Sequence, residues 1–556
     1  MTALTSAGPA AAAPRHTAAP PLSLRGAFAG TGALTRLALR RDRVVLPVYV
    51  VVVLLMVAVT YSSVATMYGT QAERDELTAS MGTNSAFLAL LGPLEHTGSV
   101  ASTAAWRVGL FMILVLGVLA VLTVVRHTRK EEETGRLELV RAARVGSLAP
   151  LATGVLVAAG MSVVTGALMA AMYVAQGADG ASSVAFGLQF AALGLAGTGI
   201  GAVCAQVATS SRTANTIGVL LLVAGYALRG VADIEPSADW LHWVSPVGWV
   251  QEIDPFGANA WGPALLCLTL FVACVAVAAR LSLGRDLGAG LVQPRPGPAG
   301  SGSLTSPLAL ATRLQLPGVV SWTLGVGAYC LLVGFLLDSV DDIAGSSPQM
   351  QQIIAQLGGA GALAQVFQVA IMGFVGIAAS AFAVTLVSRV HAEETSGRTE
   401  LVLATGTSRT RYLTASVALL VVGVVAVPLW AGLMMGLGHA LVSGGWGSAF
   451  GDAVGAGLVQ VPAALVVAGL VLVLYGWWPR LVALGWGVVT VFLVVGQLGE
   501  LFGLPQWVRD LSPFTHVPQV PLDPFSLGPV LALTGIAAAL VAVSYVGFRR
   551  RDVGGA

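Results

Sequence analysis

Apolar and polar positions alternate along this chain at the scale of whole helices. Runs of about 20 mostly apolar residues, the length that crosses a bilayer, lie near 44–66, 104–125, 149–172, 184–206, 214–232 and 261–282. A second set lies near 319–337, 367–388, 412–437, 453–476, 481–499 and 526–547. The pattern predicts an all-α polytopic membrane protein with twelve transmembrane helices. Cytoplasmic connections attract Lys and Arg. With both termini cytoplasmic, only Arg74, Arg107, Arg229 and Arg509 of the 29 basic residues fall outside, whereas most acids do, among them Glu73, Asp75, Glu76, Asp338, Asp341 and Asp342. A shift by one span destroys this segregation.

The polar connections also repeat. After the second run the chain reads Glu131-Glu132-Glu133-Thr134-Gly135-Arg136-Leu137-Glu138-Leu139-Val140, and after the eighth Glu393-Glu394-Thr395-Ser396-Gly397-Arg398-Thr399-Glu400-Leu401-Val402. Thr35-Arg36-Leu37 precedes the first run and Thr312-Arg313-Leu314 the seventh. Ser245-Pro246 and Asp254-Pro255-Phe256 precede the sixth, Ser512-Pro513 and Asp523-Pro524-Phe525 the twelfth. Arg285-Asp286 follows the sixth and Arg551-Asp552 the twelfth. A self-similarity this long sets the architecture. Six spans per half is even, so the halves form parallel repeats about a pseudo-two-fold axis along the membrane normal. The expected division is a disordered tail at 1–25, a first six-span half at 26–283, a cytoplasmic linker rich in Pro, Gly and Ser at 284–306, and a second half at 307–556.

Composition agrees with a bilayer environment. Hydrophobic residues make up 56% of the 556 and charged residues 10%, against about 25% charged in soluble domains. Cys204, Cys267, Cys274 and Cys330 all sit in apolar runs without ligand or disulfide spacing, which reads as small packing residues. His127, His391, His96, His242, His439 and His516 are scattered, and no metal site is expected. Gly197-x-x-x-Gly201 reads as close helix packing. Arg40-Arg41 resembles a twin-arginine signal, but anchoring of the first span on the inner side explains it without export. In 30–43, Arg36, Arg40 and Arg43 share one helical face and Leu34, Leu37 and Ala38 another. This is the pattern of an interfacial helix, or of topological anchors alone.

The repeated Glu/Gly-Arg segments are the most specific chemistry in the chain. Glu132 to Arg136 and Glu394 to Arg398 have the favourable i, i+4 acid-to-base order. The intervening glycine disfavours one unbroken helix and predicts a short helix entered by a turn. Charges that merely hold two loops inside would explain the residue types but not the same order in both halves. The pattern Glu-x-x-Gly-x-x-Glu-Leu-(Leu/Val), continued by Leu139-Val140-Arg141-Ala142 and Leu401-Val402-Leu403-Ala404-Thr405, resembles the cytoplasmic loop of type-2 ATP-binding-cassette (ABC) exporters. The second copy, with Gly406-Thr407-Ser408-Arg409, matches more fully than the first. The fused twelve-span, Ala/Gly/Val-rich form is similar to actinobacterial permeases that export polyketide antibiotics and other drugs. The resemblance implies that Glu132, Glu133, Arg136, Glu138, Glu393, Glu394, Arg398 and Glu400 couple to an ABC ATPase subunit, two copies per chain. It also implies a substrate path along spans two, five, eight and eleven, for which Phe111, Met112, Met372, Phe374 and Phe492 are candidates. Lipid-facing packing explains each of these five as well.

The chain carries no ATPase of its own. A P-loop needs Gly-x-x-x-x-Gly-Lys-Ser/Thr, and the only lysine, Lys130, is followed by Glu131. ATP and Mg would therefore sit on the partner, with no cofactor on this chain. Before spans six and twelve, Trp240 to Val250 and Pro505 to Phe514 are apolar but broken by proline, which suits either a re-entrant hairpin or an interfacial aromatic belt. No catalytic constellation is present, and no nucleic-acid partner is expected. The expected function is the permease of an ABC exporter in the plasma membrane, moving hydrophobic or amphipathic compounds (antibiotics, drugs or lipids) outward. A proton-coupled drug antiporter is the alternative, disfavoured because the span interiors hold almost no ionisable residues. A lipid-modifying enzyme would need a polar constellation at one membrane face that the sequence lacks, whereas a scaffold stays open.

Overall fold

The computed structural model describes residues 24–81, 85–141, 145–285, 290, 302–345, 362–444, 446–497 and 505–553. Most of the expected tail and linker lies outside them, as does the Asp286 part of the repeated Arg-Asp motif. The chain divides into two compact units, Met1–Arg295 and Pro296–Ala556. All regular structure among the described residues is helical.

The first unit runs α1 (Thr31–Arg41), α2 (Val45–Met67), α3 (Gln71–Met81), α4 (Ser85–Leu91), α5 (Val100–His127), α6 (Arg129–Glu133), α7 (Arg136–Arg141), α8 (Ala149–Ala175), α9 (Gly180–Val207), α10 (Ser211–Ile234), α11 (Pro246–Gln251) and α12 (Gly262–Gly284). Polar caps start the long helices. Ser99 exchanges bonds with Ser102, Asp179 accepts from the Ser182 amide at 2.9 Å, and Ser210 accepts from the Thr213 amide at 3.0 Å. Each satisfies an amide that the helix itself leaves open. The most enclosed span, α9, packs on α5, α8 and α12. Its Phe186, Phe190 and Leu193 fill the core together with Tyr173 of α8.

Small residues let these helices touch backbone to backbone. A Cβ on Gly197 would lie 2.5 Å from the Gly117 carbonyl oxygen, and one on Gly201 would lie 3.0 Å from the Val121 Cα. The packing expected of Gly197 and Gly201 is thus present, directed at α5. Between α8 and α9 the approach is reciprocal, a Cβ on Gly166 lying 2.5 Å from the Gly187 carbonyl oxygen and one on Gly187 2.3 Å from that of Gly166.

The second unit runs α13 (Pro307–Gly345), α14 (Ala362–Thr395), α15 (Arg398–Leu403), α16 (Arg409–Ser443), α17 (Trp446–Leu458), α18 (Val461–Trp477), α19 (Leu484–Phe492), α20 (Gln506–Arg509) and α21 (Leu527–Arg550). Its α13 crosses α16 where Gly334 faces Gly438, each Cβ position lying 2.3 Å from a carbonyl oxygen of the other helix.

Among the described residues, eleven helices are long and apolar enough to cross a membrane. The predicted run 481–499 is shorter. The chain turns at Pro479–Leu481, α19 starts at Leu484, and one π turn extends it to Gln497. The predicted run 453–476 is two helices, because Pro462, which cannot donate an amide bond, opens α18 after a break at Val459 and Gln460. The two units also begin differently. Asp42 ends α1 and is buried, 2.8 Å from Arg126 and 2.9 Å from His127 at the end of α5. In the second unit α13 continues without a break through Pro317 for 39 residues. α1 leaves Arg36, Arg40 and the following Arg43 exposed; of the apolar set Ala38 is buried, Leu34 half-buried and Leu37 exposed, and the helix lies against α8.

Candidate functional site

The two repeated segments adopt one backbone design. In the first unit α5 gives way to α6, a turn at Thr134 and Gly135, and α7. In the second, α14 runs on to Thr395 and turns at Ser396 and Gly397 into α15. Gly135 has φ +70° and Gly397 φ +75°, left-handed values that a side chain disfavours. The Gly135 amide donates to the Glu132 carbonyl at 3.0 Å, and the Gly397 amide to the Glu394 carbonyl at 2.9 Å. The short helix entered by a turn is therefore present twice.

The i, i+4 side-chain pairs suggested by the sequence do not form, because the left-handed glycine between acid and base bends the chain. Glu132 instead accepts from Arg285 at 2.6 and 3.0 Å and from Arg129 at 2.7 Å. Glu394 accepts a bidentate bond from Arg551, one arm at 2.7 Å. Both acids point inward, toward the arginine that directly follows the last span of their own unit. In each case the end of a third helix completes the junction. Arg285 Nε donates to Gln206 Oε1 at 2.8 Å near the end of α9. The Arg551 guanidinium lies 5.0 Å from the Tyr475 ring centre at the end of α18 and 5.1 Å from that of Phe548. The pairing of acid with distant arginine was not drawn from the sequence, although the repeated Arg-Asp after each half was its visible signal.

The other coupling candidates divide into anchored and exposed groups. Glu133 accepts from the Ser211 amide at 2.7 Å and its hydroxyl at 2.5 Å, capping α10. Glu393 meets Arg398 Nε at 2.9 Å across the turn. Glu131 meets Arg41 of α1 at 2.6 Å. Leu137 and Thr399 turn into the protein, and Thr399 shares a 3.0 Å bond with the Tyr412 hydroxyl. Arg136, Glu138, Glu400 and Leu401 face outward, Leu401 with 71% of its surface exposed. Each unit so presents a short helix whose outer face carries charged side chains, joined in α15 by the exposed Leu401.

The five path candidates are not brought together within either unit. Met112 and Met372 are buried in helix packing, Phe111 and Phe374 are exposed, and Phe492 is half-buried against the second unit's core. None lines the larger cavities. One is an apolar groove of about 580 Å³ between α16, α18 and α21, bordered by Val417, Leu465, Ala537 and Tyr545.

A second cavity, about 440 Å³, lies at the opposite end of the first unit's spans from the α6–α7 segment and is polar, with Glu95, His96, Asp233, His242, Glu252 and Asp254 on its walls. The bent segment before the sixth span shapes it. A 3-10 stretch at Pro236–Val244 breaks at Ser245, which caps α11 by accepting from the Gly248 amide at 3.2 Å. Arg229, fully buried in α10, pairs with Asp233 at 2.8 Å and stacks 4.4 Å from the Tyr226 ring centre. Gln251 of α11 donates to the same carboxylate at 2.7 Å, and His242 lies 3.2 Å from it. That bond to Asp233 is the main reason the His242 pKa is raised, and burial raises that of Glu252. The broken hairpin is thus fastened to the span before it by one buried acid. Among the described residues no group of three or more His, Cys, Asp or Glu side chains is arranged to hold a metal ion.

Comparison with known sequences accounts for nearly the whole chain. Residues 33–281 and 304–549 match the family described as "Multidrug efflux system permease Rv1217c, C-terminal domain". The multidrug efflux system permease protein Rv1217c of Mycobacterium tuberculosis (strain ATCC 25618 / H37Rv) is 37% identical over 528 residues, covering 95% of this chain and 96% of that protein. With its two bundles of apolar helices and its duplicated helix–glycine–helix segments, this chain belongs to the Rv1217c family of multidrug efflux system permeases.

Proposed function

We propose that this chain is the membrane permease of an efflux pump that carries hydrophobic or amphipathic compounds out of the cell across the plasma membrane. ATP hydrolysis on a separate ABC ATPase dimer drives it, with ATP and Mg held by that partner. In this reading twelve spans form two parallel six-helix repeats about a pseudo-two-fold axis, with both termini cytoplasmic. The observation that carries the reading is the duplicated helix, left-handed glycine, helix design at residues 129–141 and 393–403, each copy with an exposed outer face. Two equivalent docking helices on one polypeptide suit two equivalent ATPase subunits. Closure of the ATPase dimer would press on α7 and α15 and change the access of an apolar path. The name of the relative, a multidrug efflux permease, supports the same cargo class. A proton-coupled exchanger would want ionisable groups deep in the spans, whereas the buried Arg229 and Asp233 pair belongs to the last turns of α10.

The test is transport of ethidium in inside-out vesicles containing this chain with and without the ABC ATPase that co-purifies with it. Uptake should require ATP and the partner and survive collapse of the proton gradient. Uptake abolished by a protonophore with ATP present would reject the ATP-driven reading.

A further inference from the structure

We propose that Arg285 and Arg551 are positioning residues that clamp each coupling segment to the end of the last span in its own unit, so that segment and span move as one body. The inference rests on the reading of 129–141 and 393–403 as ATPase-facing, and goes beyond it by naming what that contact moves. Three observations carry it. The same acid, Glu132 or Glu394, three residues before the left-handed glycine, meets the same arginine, the first residue after α12 or α21. The contacts are shielded: side-chain exposure is 8% and 7% in the first pair, 5% and 15% in the second. The third partner differs between units, a Gln206 carboxamide in one and the Tyr475 ring in the other. The acid and arginine pair is therefore the common element, and the surroundings vary around it.

The chemistry suits a mechanical joint. A bidentate guanidinium–carboxylate contact fixes direction as well as distance, unlike a point charge. Beyond the joint lies one uninterrupted helix of 23 residues in α12 and 24 in α21. At about 1.5 Å per residue each is a rod of roughly 35 Å. In the first unit the far end of that rod packs against α11, the second limb of the broken hairpin that walls the polar cavity. A push on α6 and α7 at one face is so delivered, through Glu132 and Arg285, to the hairpin at the other.

The experiment uses the full chain with the ABC ATPase that co-purifies with the tagged wild-type protein, reconstituted in liposomes, with ethidium as cargo. Arg551→Gln, Arg285→Gln and Arg551→Lys are compared with the swapped pair Glu394→Arg/Arg551→Glu. Three quantities are read: ATPase retained on the permease, basal hydrolysis, and ethidium moved per ATP hydrolysed. The two glutamine variants should keep the first two and lose roughly tenfold in the third, a typical coupling magnitude. Lysine should restore only part of the ratio, and the swapped pair most of it. Glutamine variants with the wild-type ratio, or a folded swapped pair as uncoupled as Arg551→Gln, would overturn the proposal. Should the single variants fail to reach the membrane, the swapped pair alone decides, by restoring both assembly and ratio or not. Failure of the wild-type chain to retain any ATPase would instead remove the underlying reading, an outcome separable from failure of the clamp.

Discussion

Asp233→Asn probes the junction between α10 and the broken hairpin with almost no change of shape. The native carboxylate is 2% exposed, faces a fully buried Arg229 at 2.8 Å, and accepts from Gln251 at 2.7 Å. Asparagine keeps the volume but not the charge. The Arg229 guanidinium would then retain the Leu90 carbonyl at 3.1 Å and the Tyr226 ring at 4.4 Å. Removing one member of a buried ion pair costs about 3–5 kcal/mol, because the other charge stays in a low-dielectric site. The ring contact, present in both proteins, offsets none of this. In a unit of this size such a loss corresponds to a fall in melting temperature of roughly 5–10 °C. The assay is the fraction of detergent-solubilised protein that stays monodisperse after heating, with exposed Asp239→Asn as control. The double variant Arg229→Leu/Asp233→Leu should be less damaged than Asp233→Asn, since two apolar side chains leave no charge unpaired. An Asp233→Asn protein melting within a degree of the control would refute the reasoning and show that water reaches Arg229.

Three further outcomes follow from the same geometry. His242 and Glu252 both have raised pKa values. Each holds its proton more tightly folded than unfolded, so that contribution to stability is complete below the unfolded pKa and lost as pH rises through the folded one. Melting temperature should fall as pH rises above the ordinary imidazole value of 6.5, and a flat profile from pH 5.5 to 8 would contradict the assignment; His242→Asn should remove most of the slope. Gly197→Leu should cost at least about 1–3 kcal/mol by overpacking, or abolish folding, because its Cβ meets the Gly117 carbonyl oxygen at 2.5 Å; Gly160→Leu, with open space, should melt like wild type. Leu401→Asp, on the exposed outer face of α15, should lower ATPase co-purification by roughly tenfold or more if this face is the docking surface while leaving melting unchanged, and equal recovery would exclude the face.

The existence of the long apolar helices was legible because a bilayer imposes a minimum apolar length on every span. What hydropathy did not resolve were interruptions inside apolar sequence. Pro462 splits α17 from α18, and the turn at Pro479–Leu481 shortens the next helix, yet neither changes local apolar content. The repeated Glu/Gly-Arg segments show a different limit. Gly135 and Gly397 signalled a turn, and the turn is there. The same turn removes the i, i+4 pairing that helical spacing suggested, and the true partners lie 153 and 157 residues away. Short-range spacing carries no information on such contacts. Only the recurrence of Arg285 and Arg551 in step with Glu132 and Glu394 pointed to them. Buried Arg229 sat in an apolar run where its partner Asp233, one turn on, was readable, whereas Gln251 and His242 joined the cluster only through the fold of the hairpin.

The unequal entry to the two units has a mechanical meaning. In the first, Asp42 is a hinge pin: a surface helix ends there, turns, and is locked by Arg126 and His127 to the helix that carries α6 and α7. In the second, α13 has no such joint and runs on as one continuous helix with Pro317 inside it. A pump built from two identical chains must give both halves the same compliance. A single polypeptide is free of that restriction, and here the first unit is entered through an elbow and the second through an unbroken helix.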